Sequence, residues 1–179
     1  LASPIVINRD SVTLSGANVG ADLFFTSMGN NTAGFSNKIA TALVAAGDFD
    51  AIQIGFGDAL IFGVAVVNIG ISGVTNETAL PKEIQTKGAG IHVRECDTLQ
   101  IEHVDIRRKA YGILFDKTEQ PMPWNVADVL TLRNAYFSFC GWAIYVDGWL
   151  GNAKISNIFG YINSLGLLYK SGSIGQYDW

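Results

Sequence analysis

The sequence predicts an all-β fold, a parallel β-helix: a solenoid with a period of roughly 22 per coil, in the range of known repeat architectures. Three observations carry that expectation. The segments "GIHV", "GILF", "AIYV" and "GLLY" are anchored at Gly90, Gly112, Ala143 and Gly166, so the anchors advance by 22, 31 and 23 positions. The long step is one period plus an insertion, 117–125. Within the segments apolar residues alternate with period two rather than 3.6. A polar corner, His103, Asn134 or Asn157, recurs inside "LQIEHVDI", "LTLRNAYF" and "AKISNIFG". One coil cannot bury its apolar face, whereas stacked coils share a continuous core. A β-sandwich has similar strand spacing, but it does not require the same side-chain types to return in register.

Taken in chain order, "IVINRDSVTLSG" reads as an early coil. An insertion follows at 17–49. Inside it Ser36 caps an expected short helix from about Asn37 to Ala46, stopped by Gly47, with Ile39, Leu43 and Ala46 on one face. Such a helix would shield a sheet edge or flank. The "AIQI" at Ala51 precedes the Gly90 anchor by one period plus a further insertion. The longest apolar stretch, Ala59 to Ile71, is interrupted by Gly63, Asn68 and Gly70 and is too short to span a membrane. In the repeats that follow, alternation turns Ile91, Val93, Ile113, Phe115, Ile144, Val146, Leu167 and Tyr169 inward. Ile101, Leu132 and Ile155 are expected to stack beneath one another. The corner column suits Asn, which tolerates left-handed backbone and whose stacked amides bond between coils.

The 179 residues read as a single β-helix domain, 1–179, and as a fragment of a longer chain. Lys and Arg total 12 against 16 Asp and Glu, a net charge of −4, which speaks against a nucleic-acid partner. Two cysteines, Cys96 and Cys140, fall at different corners and read as buried thiols.

Chemistry is expected on the outward positions. One column holds His92, Leu114, Tyr145 and Leu168; the next holds Arg94, Asp116, Asp147 and Lys170. Stacking puts Asp116 and Asp147 on neighbouring strands about 5 Å apart. Close carboxylates can split into an acid and a base, so this pair is the candidate catalytic couple, with Arg94, His92, Tyr145 and Lys170 as candidate ligand contacts. The competing reading is a charge ladder on a solvated face, contributing ~0–1 kcal/mol per exposed pair. No metal ligand set stands out and no cofactor is expected; Ca²⁺ is the one ion considered, and it takes more oxygens than two carboxylates supply. The insertion "DKTEQPMPWN" adds Glu119 for sugar hydroxyls and Trp124 for stacking, with Trp149 as a second platform. Arg107, Arg108 and Lys109 read as a solvated corner.

The coil pattern, from "IVINRDSVTLSG" to the "GIHV" and "GILF" repeats with their Asn corner, resembles the pectate-lyase-like right-handed parallel β-helix superfamily. The resemblance implies right-handed coils and a setting among phage tailspikes and polysaccharide-active proteins. The Asn-Thr-Asp, Asp-Asp and Gly-His-Gly signatures of the polygalacturonases are absent, as is the Arg-x-Pro-x-x-Arg motif of the lyases. The expected function is therefore a tailspike, tail-fibre or adhesin segment that binds host polysaccharide, at the virion surface or outside the cell, as a homotrimer or larger assembly. In that assembly Leu114 and Leu168 would be covered by another chain or by the 17–49 insertion. The alternatives are a secreted polysaccharide lyase or glycoside hydrolase working through Asp116 and Asp147, and a structural protein of an extracellular filament or layer.

Overall fold

The computed structural model describes residues 1–17, 42–45, 47–57, 59–73, 88–116, 127–161, 163–170 and 173–178. These are all-β, and every strand pairing among them is parallel. No helix among them is long and apolar enough to cross a membrane. The strands are β1 (Ile5–Ile7), β2 (Thr13–Ser15), β3 (Ala42–Ala45), β4 (Ile52–Ile54), β5 (Ile61–Gly73), β6 (Ala89–Val93) and β7 (Cys96–Arg107), then β8 (Tyr111–Asp116), β9 (Ala127–Ser138), β10 (Trp142–Asp147), β11 (Trp149–Tyr161), β12 (Gly166–Lys170) and β13 (Ser173–Asp178). From β4 onward the chain alternates between two sheets. One has the order β1-β4-β6-β8-β10-β12, the other β13-β11-β9-β7-β5-β2, with β3 also on β5.

The long strands of the second sheet bend where the sequence places its polar corners. His103, Asn134 and Asn157 have φ of 51°, 53° and 54°, and Asn68 joins them at 57°. Left-handed backbone costs most residues ~1–2 kcal/mol, and Asn among the least because its short amide bonds locally. The amides also bond between strands. Asn157 Nδ2 donates to Asn134 Oδ1 at 3.0 Å, and Asn134 Nδ2 lies 3.2 Å from His103 Nε2.

Residues of both sheets form one apolar core. Val66, Ile101, Leu132 and Ile155 are successive partners across β5, β7, β9 and β11, none more than 2% exposed. Ile91, Ile113 and Ile144 do the same across β6, β8 and β10. The glycine anchors exist because the opposite sheet and the carbonyl of the neighbouring strand fill their space. A Cβ on Gly90 would stand 2.5 Å from Ile106 Cγ2, and one on Gly112 2.5 Å from Phe137 Cδ1. At the next level Gly160 takes Phe137's place on the second sheet, and Ala143 fits on the first.

Two expectations are corrected. Ala42–Ala45, placed in a helix by its apolar spacing, is strand β3; the rest of the expected helix lies outside the described residues. β2 pairs with β5 only at Ala65–Val67, which leaves the edge at Gly70–Gly73 open, and β3 fills it. Satisfying that edge and burying Ala45 outweighs the favourable helix propensity of an Ala-rich stretch, because tertiary pairing overrides local preference. The fourth repeat is also out of step by a single position. Gly166 pairs with Trp142, Leu168 with Ile144 and Tyr169 with Tyr145. Ser138 and Tyr161 are partners, yet the chain needs one more step from Tyr161 to Gly166 than from Ser138 to Trp142. Leu167 is therefore 42% exposed instead of inward, and Leu168 packs against the core instead of facing out.

Two substitutions probe this packing. Leu132→Ala is expected to cost ~2–5 kcal/mol by urea unfolding, as truncations in close-packed cores do. Asn134→Ala, losing the left-handed preference and two amide contacts, is expected to cost ~1–3 kcal/mol. Asn134→Gly restores the backbone part, so it must be milder than Asn134→Ala. Equal losses would contradict the backbone contribution and leave only the amide contacts.

Candidate functional site

The parallel register brings part of the expected outward column together. Asp147 is the direct partner of Asp116. Arg94, next in the chain after the Val93–Phe115 pair, donates from Nε to Asp116 Oδ1 at 3.0 Å. Tyr145 pairs with Leu114 and touches Tyr111 edge to face, with ring centroids 4.9 Å apart. Lys170 leaves the column, because the slip of β12 sets its backbone opposite Val146 rather than Asp147. Trp149 opens β11, its backbone opposite Ser173. Glu119, Trp124 and the whole 117–125 insertion lie outside the described residues.

His92 is the main departure. Alternation points it outward, yet it is only 7% exposed. Phe56 stands edge-on to its ring at 4.6 Å, and the Arg94 guanidinium lies 4.3 Å over Phe56. Under this cover the imidazole sits between two carboxylates. Nδ1 lies 2.8 Å from Asp50 Oδ2, in hydrogen-bonding geometry. Nε2 lies 2.9 Å from Asp116 Oδ1, a close ion-pair contact rather than an aligned hydrogen bond. Asp50 is held in turn by Gln53 Nε2, which donates to Oδ2 at 2.9 Å, and by the Ala89 amide, which donates to Oδ1 at 2.8 Å.

Burial opposes charge on His92, but the contact with Asp116, the hydrogen bond with Asp50 and the charges of both carboxylates outweigh it and raise its pKa above the ordinary value. Burial likewise opposes the charge on Asp50, and is outweighed by hydrogen bonds from His92, Gln53 and the Ala89 amide, so its pKa falls below the ordinary range. Asp50, Gln53 and Phe56 are site residues absent from the sequence-based expectation. The alignment of "AIQI" with "GIHV" does set Gln53 beside His92, as observed. Asp50 and Phe56 flank the strand, where the repeat gives no signal.

The basic run that starts on the last residue of β7 is not a solvated corner. Arg107, 4% exposed, pairs with fully buried Asp105, Nε to Oδ1 at 2.8 Å and Nη2 to Oδ2. Burial raises the Asp105 pKa against the pull of Arg107. Lys109 is fully buried, and its Nζ donates to the Phe49 carbonyl at 2.5 Å. Burial lowers the Lys109 pKa to about 8, opposed by Asp50, Asp48 and Cys140. Cys96 and Cys140 are buried free thiols, as expected. Among the described residues no three His, Cys, Asp or Glu side chains converge as a metal site.

No family model matches the chain, and no curated protein and no solved structure matches it. The site rests on its geometry.

That geometry makes stability depend on pH in a definite direction. The lowered Asp50 pKa gives a contribution present above the ordinary carboxylate value of 3.8 and lost as pH falls through the lowered one. The raised His92 pKa gives a contribution complete below 6.5 and lost as pH rises through the raised value. Together these two contributions are therefore greatest between these limits, and the His92 part declines above them. His92→Gln should flatten the upper decline in urea titrations at several pH values, and an unchanged decline would contradict the pairing.

Proposed function

We propose that the chain is a right-handed β-helical segment of a tailspike, tail fibre or related surface adhesin that binds host polysaccharide along the outer face of the six-stranded sheet. Support for the solenoid comes from the connectivity: the chain alternates between two parallel sheets, advancing one strand position in each. Left-handed corners divide the long strands into two faces, and parallel crossovers are right-handed in nearly all proteins. The observation that carries the binding reading is the outer strip of β6, β8 and β10. There Asp116 and Asp147 are in register, Arg94 is fixed beside them, and Tyr145 on the neighbouring column meets Tyr111 edge to face. Carboxylates and a guanidinium bond sugar hydroxyls, and tyrosine offers an apolar face with a polar edge. Successive strands stand about 4.8 Å apart, a spacing comparable to the step of one sugar along an extended glycan.

The strip favours binding over turnover, because Asp116 is engaged by both Arg94 and His92. Assembly as a trimer at the virion or cell surface would cover apolar residues such as Leu165 and Leu167, 64% and 42% exposed.

Arrayed oligosaccharides from bacterial capsules and lipopolysaccharides test the reading. Asp147→Asn and Tyr145→Ala, shown to be folded, are expected to weaken the best-bound glycan about tenfold or more, the size of a lost charge-assisted hydrogen bond. No product should form with the unmodified chain. Cleavage that falls ~10²-fold or more in Asp116→Asn or Asp147→Asn would establish the glycosidase or lyase instead. Absence of glycan binding would leave the structural filament.

A further inference from the structure

The two carboxylates around His92 impose a donor count that only one protonation state meets. A carboxylate accepts and does not donate, and a neutral imidazole has one N–H for two such neighbours. Asp50 Oδ2 at 2.8 Å and Asp116 Oδ1 at 2.9 Å are both served only by the imidazolium. The two sides are not equal. Asp50 is fixed by Gln53 and the Ala89 amide, and its contact to Nδ1 is well aligned. Asp116 meets Nε2 off line, and its other partner at Oδ1 is the Arg94 Nε, on a side chain 36% exposed.

We propose that His92 is a pH-operated latch on the sugar-facing strip: as imidazolium it holds Asp116 and, through it, Arg94, and as neutral imidazole it releases them. This rests on the polysaccharide-binding reading of the same strip. On deprotonation the proton leaves Nε2 for solvent, and Nδ1–H stays on Asp50. The Nε2 lone pair then faces Asp116 Oδ1 at a distance where two acceptors repel. The carboxylate turns away, and the Arg94 Nε contact loosens with it.

Polar and charged groups face the ring from every neighbouring element. Asp50 precedes β4, Gln53 lies on it and Phe56 follows it; Arg94 follows β6; Asp116 ends β8. Lys109, from the turn before β8, acts on Asp50 through its charge. Asp147 stands one strand beyond Asp116. Releasing the latch makes the strip one charge more negative and removes its preorganisation, which costs affinity.

Two measurements test the proposal on the intact chain. The protein has two histidines, so nitrogen NMR of the imidazoles can be assigned with a His103→Gln variant. Above its midpoint His92 is expected as the Nδ1–H tautomer, and the Arg94 Nε–H signal should shift with the same midpoint. An Nε2–H tautomer, or an Arg94 signal indifferent to that titration, overturns the latch with or without a ligand. In the second measurement the best-bound capsule or lipopolysaccharide oligosaccharide is titrated across the midpoint. Affinity should be at least about fivefold greater on the acid side, the low end of site coupling, and the break should vanish in His92→Gln. Binding without a break overturns the latch and leaves the polysaccharide reading standing. Failure of every glycan to bind overturns that reading, while the NMR titration still decides the latch.

Discussion

Parallel, in-register pairing is the constraint on which everything else depends. Once strands lie in parallel at about 4.8 Å, each side chain is stacked on its counterpart from the neighbouring strand. An apolar residue then produces an apolar column, and a mismatch propagates. The Gly90–Ile106 and Gly112–Phe137 contacts show how strict this is. Each glycine sits where the other sheet has already placed a large side chain, so the small anchor and its bulky opposite are fixed together. The corners obey the same rule. A left-handed residue in one strand demands one beside it in the next, and the Asn amides that tolerate this backbone also bond across it.

The outer face inherits its order from that inner register. Asp116 and Asp147 are neighbours because Phe115 and Val146 are neighbours underneath. Two carboxylates stacked in this way repel each other. Arg94 and His92 offset that repulsion at Asp116, and Asp50 carries the chain of alternating charges back toward β4. Phe56 and the Arg94 guanidinium cover the ring and reduce its access to water, which strengthens the pairings beneath them. The outcome is a strip with an ordered, charged end at β6 and an aromatic ridge at Tyr111 and Tyr145.

Much of the sheet architecture is legible in the sequence, because period-two alternation and a recurring anchor are properties of the residues themselves. The inward column through Ile91, Ile113 and Ile144, the Ile101–Leu132–Ile155 stack and the corner at Asn134 all follow from them. What the repeat cannot register is a change in connection length. A single added residue before Gly166 reverses the expected facing of Leu167 and Leu168 and removes Lys170 from the charged column. Local propensity fails at Ala42–Ala45, where an open edge on β5 decides the conformation. The candidate site was half legible for the same reason. Arg94, Asp116, Asp147 and Tyr145 are repeat positions, whereas Asp50 and Phe56 lie outside the strands and reach His92 only in the fold. Burial of Arg107 and Lys109 is equally a tertiary fact, invisible in a run of three cations.

The register of the outer strip is the central claim, and cross-strand nuclear Overhauser contacts measure it most directly. Backbone contacts from Tyr145 are expected to run to Leu114 on one side and to Tyr169 on the other, with Asp147 against Asp116. Contacts from Tyr145 to a β8 residue other than Leu114, or antiparallel connectivities between β8 and β10, would contradict both the strip and the site built on it.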